Sequence, residues 1–138
     1  MLLMPAPLLR IIVDAAEAAY PEESCGLLIG PGTGPARLVR VEPSANLAAD
    51  RRTGFEIDPA LRFRLMRELV GSNEQILGHY HSHPDCASTP SACDLAMAYE
   101  PEFIWIITSV FDGHAMSTRA YRLDAGQQRS TEVQIILL

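Results

Sequence analysis

The segment Phe103–Phe111 (FIWIITSVF) constrains the fold most, because nearly every position in it is apolar. Side chains of a strand alternate between two faces, so a strand of this composition has to be covered on both of them. We therefore predict a central strand of a sheet with packing layers on both sides. A chain of 138 residues, 48% of them apolar, is large enough to bury such a sheet, and we expect one domain over residues 1–138.

Helix and strand patterns of ordinary length surround this segment. Amphipathic spacing predicts a helix over Leu8–Ala19, and the pair Asp58-Pro59 begins a second helix that runs to about Val70. Further strands are predicted at Ser24–Gly30, Ala36–Val41, Phe55–Asp58, Gln75–Ser82, Ala115–Leu123 and Thr131–Leu138, the first two of these forming a hairpin. The pattern is that of an α+β domain with a mixed, mostly antiparallel sheet, two main helices and one short helix.

Charge and cysteine usage exclude some classes of protein. The net charge is −6, and phosphate contacts need clustered basic residues, so a nucleic-acid-binding face is not expected. No apolar run approaches the ~18 residues of a membrane span, and no targeting signal precedes the first helix, so we expect a cytoplasmic protein without membrane contact. Three cysteines fit a reducing compartment, with free thiols favoured over a disulfide between Cys86 and Cys93. The pattern does not indicate an oligomeric state.

Two histidines on the predicted strand Gln75–Ser82 and just after it form a candidate metal site. His81 and His83 are two residues apart, so their side chains leave the same face roughly 6.5–7 Å apart along the strand. Imidazole nitrogens at this spacing can converge on one Zn²⁺ ion. His79 lies on the same face of the strand, but three successive positions on one face span too far for one ion. We therefore expect His79 to be a packed neighbour.

Ser91 and Asp94 follow at a spacing that has two interpretations. Ser-x-x-Asp before an apolar stretch is a helix capping box. However, Thr89-Pro90 could itself begin a short helix over Ser91–Ala98, which would place Ser91 and Asp94 inside the helix and on one face. Asp94 would then be a third metal ligand, leaving a fourth position open for water, as in catalytic zinc sites.

A hydrolase also needs a group that accepts the proton of the attacking water, and a carboxylate is the usual choice. The candidates elsewhere in the chain are Glu22, Glu23, Glu56 and Asp58. Glu23 shares strand parity with the bulkier apolar residues Cys25, Leu27 and Ile29, which aims it inward. Glu22 lies on the opposite face of the strand from Glu23, which favours a solvent-facing side chain. The residue pattern alone leaves open whether Glu23 is a catalytic group or a solvated charge at a turn.

The sequence HSHP at His81–Pro84, followed by Ser91 and Asp94, resembles the motif of the JAMM (MPN+) metallopeptidases. The upstream segment PEESCGLL resembles the part of that family that carries its glutamate. The resemblance extends over essentially the whole chain and implies a cytidine-deaminase-like α+β fold. It also implies one Zn²⁺ per chain bound by His81, His83 and Asp94, with Glu23 as general base and acid and Ser91 as donor to the oxyanion.

The resemblance also implies a substrate class. The family cleaves amide bonds after the C-terminal Gly-Gly of ubiquitin-like proteins, and small bacterial members act on sulfur-carrier proteins. We interpret Glu42–Gly54 as an extended loop, and its Arg51 and Arg52 are candidates for part of a substrate surface. Two alternatives remain at this point: a zinc hydrolase of small peptides or amides, and a scaffold of the same fold without activity.

Overall fold

The computed structural model describes residues 1–138 as eight strands and three helices. In chain order these are β1 (Leu2–Met4), α1 (Ala6–Ala19), β2 (Cys25–Pro31), β3 (Arg40–Ser44), α2 (Pro59–Leu69), β4 (Glu74–Pro84), α3 (Ala92–Ala96), β5 (Ile104–Phe111), β6 (His114–Asp124), β7 (Arg129–Val133) and β8 (Ile135–Leu137). The two long helices and the short α3 match the helices predicted from the sequence.

Six strands form the main sheet, in the order β3-β2-β4-β5-β6-β7. β5 lies inside this sheet, and each of its residues except Phe111 is buried, as predicted. β4 and β5 are parallel, whereas the other four neighbouring pairs are antiparallel. The mixed, mostly antiparallel α+β arrangement expected from the sequence is therefore confirmed.

The alternating side chains of β5 divide the core into two layers. Ile104 and Ile106 pack with residues of α1, including Ile12, while Trp105 and Ile107 lie on the opposite face. α2 covers that opposite face of the sheet through its buried leucines, Leu61 and Leu65, which pack against Leu27 and Ile29 of β2. From His79 onwards, the odd-numbered residues of β4, including both candidate histidine ligands, project into the layer that contains α2. Before the register shift near Gly78 the faces are exchanged, and Leu77 packs in the α1 layer.

Three strand predictions require correction. The hairpin partner of β2 begins at Arg40 rather than at residue 36, because residues 36–38 pair instead with Leu3 of β1. The segment Thr131–Leu138 divides into β7 and β8 at Gln134, where the chain leaves β6 and pairs in parallel with β1. β1 itself was missed, since three residues are too short for a clear alternation. Phe55–Asp58 is not a strand but contains an isolated bridge from Ile57 to Asn46.

A close backbone approach fixes β4 against β5. A Cβ atom at Gly78 would lie 1.9 Å from the backbone oxygen of Ile104, so only glycine fits at the start of this parallel pair.

All three cysteines are free thiols, with Cys25 buried and Cys86 and Cys93 exposed. None of the helices has the length and apolar character needed to cross a membrane.

Candidate metal centre and active site

The two histidines of β4 converge at its C-terminal end. His81 is fully buried and His83 nearly so, and both rings lie on the face of the sheet that α2 covers. Their Nε2 atoms are 3.0 Å apart. His83 Nδ1 lies 2.8 Å from the carbonyl oxygen of Ala87, an acceptor that fixes the proton on Nδ1 and leaves the Nε2 lone pair free.

Asp94 of α3 completes a group of three potential ligand atoms. Its Oδ2 lies 3.3 Å from His81 Nε2 and 3.0 Å from His83 Nε2. All three atoms lie within 4.8 Å of one another, and all three residues are buried. The site thus gathers two imidazoles and a carboxylate from two separate elements.

The donor set and its spacing fit a zinc ion. Tetrahedral coordination with Zn–N bonds of about 2.0–2.1 Å places neighbouring ligand atoms roughly 3.3 Å apart. The separations of 3.0–3.3 Å among these three atoms are close to this value. Two neutral imidazole nitrogens and one carboxylate oxygen are also the ligand types that zinc accepts in catalytic sites.

The electrostatics of the group favour a charged carboxylate between two imidazoles. Burial opposes ionisation of Asp94, but hydrogen bonds with His81 and His83 outweigh it and hold the pKa of Asp94 well below its usual range. Burial lowers the pKa of His81. Burial acts the same way on His83, but its hydrogen bonds with Asp94 and with the Ala87 carbonyl prevail and raise its pKa. The carboxylate is therefore ready to bind a cation at neutral pH.

The position of Ser91 corrects the prediction from sequence. Ser91 is the N-cap of α3 and not part of its first turn, because its backbone stays extended after Pro90 (φ −81, ψ 167). Ser91 Oγ accepts a hydrogen bond from the Asp94 amide, and Asp94 Oδ2 accepts one from the Ser91 amide, each at 2.9 Å. The capping box that the sequence offered as the alternative is therefore present. It holds the Asp94 carboxylate in place and leaves the exposed Ser91 hydroxyl free to donate.

Glu23 is buried just before β2, as parity predicted, whereas the side chain of Glu22 is 45% exposed and pairs with Arg51 at 3.3 Å. The buried Oε1 atom of Glu23 has no hydrogen-bond partner. Burial raises the pKa of Glu23 to about 8, and the charge of Asp94 adds to this while that of His83 opposes it. Glu23 therefore lies close enough to the ligand group to feel its charges, and it is suited to exchange a proton near neutral pH.

His79 is packed rather than part of the ligand group, in agreement with the sequence prediction. Its ring contacts Trp105 edge-on with a centroid distance of 4.3 Å, and burial lowers its pKa to about 3. His79 therefore stays neutral at physiological pH. It is not among the residues whose ligand atoms converge.

Several residues around the site were not identified from the sequence. Phe55 stacks on the ring of His81 at 4.2 Å, and the Tyr121 hydroxyl donates to the Ser88 carbonyl at 2.7 Å, which anchors the loop that carries Ala87. Asn46 bonds to the backbone of the Glu23 segment. An aromatic before a helix start, or one asparagine in a loop, carries no pattern from which such contacts could be found.

The chain also matches known proteins over most of its length. Residues 5–124 match the family described as prokaryotic homologues of the JAB domain. The chain is 30% identical over 135 residues to the CysO-cysteine peptidase of Mycobacterium tuberculosis, covering 98% of this chain and 91% of that protein. It is 34% identical over 97 residues to the desampylase of Haloferax volcanii, covering 70% of this chain and 68% of that protein.

Solved structures resemble the chain over its full length. A protein of Desulfitobacterium hafniense superposes with a TM-score of 0.85 at 27% identity, covering 100% of this chain and 93% of that one. A JAB1/MPN domain protein from Archaeoglobus fulgidus shares the fold, with a TM-score of 0.63 at 20% identity, covering 100% of this chain and 97% of that one. The profile match, the relatives and the shared fold together show that this chain belongs to the prokaryotic JAB-domain family, the small prokaryotic form of the JAMM/MPN domain.

Proposed function

We propose that the chain is a zinc-dependent peptidase or isopeptidase that cleaves the amide bond after the C-terminal Gly-Gly of a ubiquitin-like or sulfur-carrier protein. The observation that carries the proposal is the convergence of His81, His83 and Asp94 on one buried point, with the buried Glu23 carboxylate nearby. That the chain is a JAMM-type hydrolase of peptide or isopeptide bonds follows from its relatives, which are named as a peptidase and a desampylase.

In this proposal His81, His83 and Asp94 hold the zinc ion. A bound Zn²⁺ supplies a Lewis acid that polarises the scissile carbonyl and lowers the pKa of a water molecule. The carbonyl of Ala87 fixes the tautomer of His83, and the capping box fixes the Asp94 carboxylate. The ligands are therefore set in position before any substrate binds, which lowers the cost of forming the site.

Glu23 and Ser91 perform the remaining steps. Glu23 accepts a proton from the attacking water and then donates it to the leaving amine, so it has to change protonation state near neutral pH. Its raised pKa, about 8 in the protein without metal, is consistent with this role. The Ser91 hydroxyl, which accepts from the Asp94 amide, donates its own hydrogen to the carbonyl oxygen as negative charge develops there.

The names of the relatives support the substrate class. The CysO-cysteine peptidase and the desampylase are both named for protein conjugates, so a carrier protein with an extended C-terminus is the first substrate to test. Of the two loop arginines considered as substrate contacts, Arg51 is already paired with Glu22, while Arg52 is exposed and unpaired.

The test compares two substrates with the zinc-loaded protein. One is a sulfur-carrier protein whose C-terminal Gly-Gly is extended by one or a few residues; the other is a short peptide with the same terminal sequence. We expect mass spectrometry to show cleavage directly after Gly-Gly of the carrier, with a much higher kcat/KM than for the peptide. Equal rates on both would support a small-peptide hydrolase instead, and no cleavage of either would refute the proposal.

A further inference from the structure

Asn46, in the loop between β3 and α2, makes four hydrogen bonds with its side-chain amide. Its side-chain nitrogen donates to the carbonyl oxygens of Glu23 at 3.1 Å and Gly54 at 3.0 Å. Its side-chain oxygen accepts from the amides of Ala48 at 3.0 Å and Glu56 at 3.1 Å. Both donors and both acceptor positions of the amide are thus occupied.

Three of these bonds lie within the loop, and only the fourth reaches Glu23. The bonds to Gly54, Ala48 and Glu56 close the segment 45–56, called here the Asn46 loop, around a single side chain. The Glu23 amide in turn donates to the carbonyl oxygen of Arg51 in the same loop, at 2.7 Å. The loop therefore holds Glu23 on both sides of its Cα atom, through the amide and through the carbonyl.

Glu23 has few other constraints. It precedes β2, whose pairing with β4 begins at Cys25 opposite His81, so the ladder does not include it. The neighbouring Ser24 is fixed to β4 by bonds with Ser82, but the Glu23 carboxylate has a buried Oε1 without any partner. The direction of its side chain thus depends on how its backbone is anchored.

We infer that Asn46 is a positioning residue for Glu23, which it sets at the metal centre through the Glu23 backbone without touching the reacting atoms. The inference rests on the proposed role of Glu23. A displacement of about 1 Å in a catalytic group can cost roughly 100-fold in rate, so the loss of this anchor should reduce turnover strongly. The metal ligands belong to β4 and α3 and are not bonded to Asn46, so zinc binding should persist.

The test is the substitution Asn46→Asp. It keeps the oxygen that accepts from Ala48 and Glu56 but replaces the two donors by a carboxylate oxygen that repels the Glu23 and Gly54 carbonyls. Amide hydrogen exchange by NMR requires no activity. The Glu23 amide reports its bond to the Arg51 carbonyl, and the Ala48 and Glu56 amides report their bonds to Asn46. We expect exchange of the Glu23 amide to become at least about tenfold faster, while the Ala48 and Glu56 amides stay protected. Unchanged protection of the Glu23 amide would overturn the inference.

Zinc content and kinetics give the second readout. Asn46→Asp should bind one zinc per chain, with kcat about 10- to 100-fold lower and KM nearly unchanged. A loss of kcat that occurs only together with loss of zinc would mean a structural role and would overturn the inference. Ser44→Ala is the matched control, because Ser44 Oγ bonds only to Ala45 and Asp58 nearby and should leave kcat at the wild-type value.

A second variant covers the case in which Asn46→Asp does not fold, and hydrogen exchange covers the case in which no substrate is cleaved. If Asn46→Asp does not fold, Asn46→Ser removes the side-chain nitrogen without adding a charge, but it also removes the oxygen that accepts from Ala48 and Glu56. Faster exchange of the Glu23 amide is expected there as well, and unchanged protection of that amide means that the inference fails. If the wild-type protein cleaves no substrate, the proposed function fails. The exchange of the Glu23 amide still decides whether Asn46 anchors it.

Discussion

Replacing Glu23 by glutamine tests whether burial raises the pKa of the Glu23 carboxyl and so makes the stability of the fold depend on pH. Burial raises the pKa of Glu23 from its ordinary value of 4.5 to about 8 in the protein without metal. A carboxyl with a raised folded-state pKa stabilises the fold fully only at pH below 4.5. It loses that contribution as the pH rises towards 8, because the unfolded chain ionises from about pH 4.5 upwards while the folded protein keeps the carboxyl protonated. Glutamine has a similar shape and cannot ionise, so it is free of this loss.

The size of the effect follows from linkage. Each pH unit between 4.5 and 8 removes about 1.4 kcal/mol, which gives about 5 kcal/mol over the whole interval. Between about pH 5 and about pH 7.5 the wild-type protein should lose about 3 kcal/mol relative to Glu23→Gln. Other titrating groups are shared by the two proteins and largely cancel in the difference.

The assay is urea unfolding of both proteins in the presence of a chelator, at half-unit steps of pH. We expect the difference in unfolding free energy to favour Glu23→Gln progressively as the pH rises and to level off near pH 8. With zinc bound the difference should shrink, since a nearby positive charge favours the carboxylate. Parallel stability curves for the two metal-free proteins would refute the reasoning, because they would mean that Glu23 titrates at an ordinary pKa.

Three other substitutions and metal removal give independent predictions. Ser91→Ala should lower turnover about 100-fold with zinc retained, through loss of the oxyanion donor, and should cost about 1 kcal/mol as a lost cap in denaturant unfolding. Tyr121→Phe removes the bond to Ser88 and should cost about 1 kcal/mol by the same assay; an unchanged midpoint would contradict it. Gly78→Ala forces a Cβ against the Ile104 backbone and should lower stability by about 3 kcal/mol, or more if β5 has to shift. Chelation should abolish turnover and lower Tm, and added zinc should restore both; activity that survives exhaustive chelation would rule out a metal-dependent reaction.

The parts of the fold that were predicted correctly depend on local, periodic signals. β5 was identified because an apolar run of its length needs two covered faces, and α2 because Asp58 and Pro59 form a strong N-terminal signal. The strands that were misplaced depend on pairing between distant segments. Residues 36–38 and β8 were assigned wrongly because both pair with β1 at the start of the chain. Alternation within a segment does not specify its partner.

In the site, too, the features set by local spacing were predicted, whereas the contacts between distant residues were not. The spacing of His81 and His83 on one strand face predicted that their rings would meet, because the period of a strand is two. The start of α3 was predicted one residue too early, since Thr89-Pro90 and Ser91 offer equally good caps by composition and only the reciprocal bonds with Asp94 decide between them. The contacts of Asn46 and Tyr121 join residues far apart in the chain, and no pattern along the sequence encodes them.

In the proposed function one site both binds zinc and cleaves the substrate, with different residues for the two tasks. This division of roles is tested by measuring zinc content per chain together with turnover on a Gly-Gly-extended carrier protein, for Glu23→Gln and for Asp94→Asn. We predict that Glu23→Gln keeps one zinc and loses turnover by about 100-fold or more, whereas Asp94→Asn loses both. Full turnover in Glu23→Gln, or zinc and turnover both retained in Asp94→Asn, would contradict it.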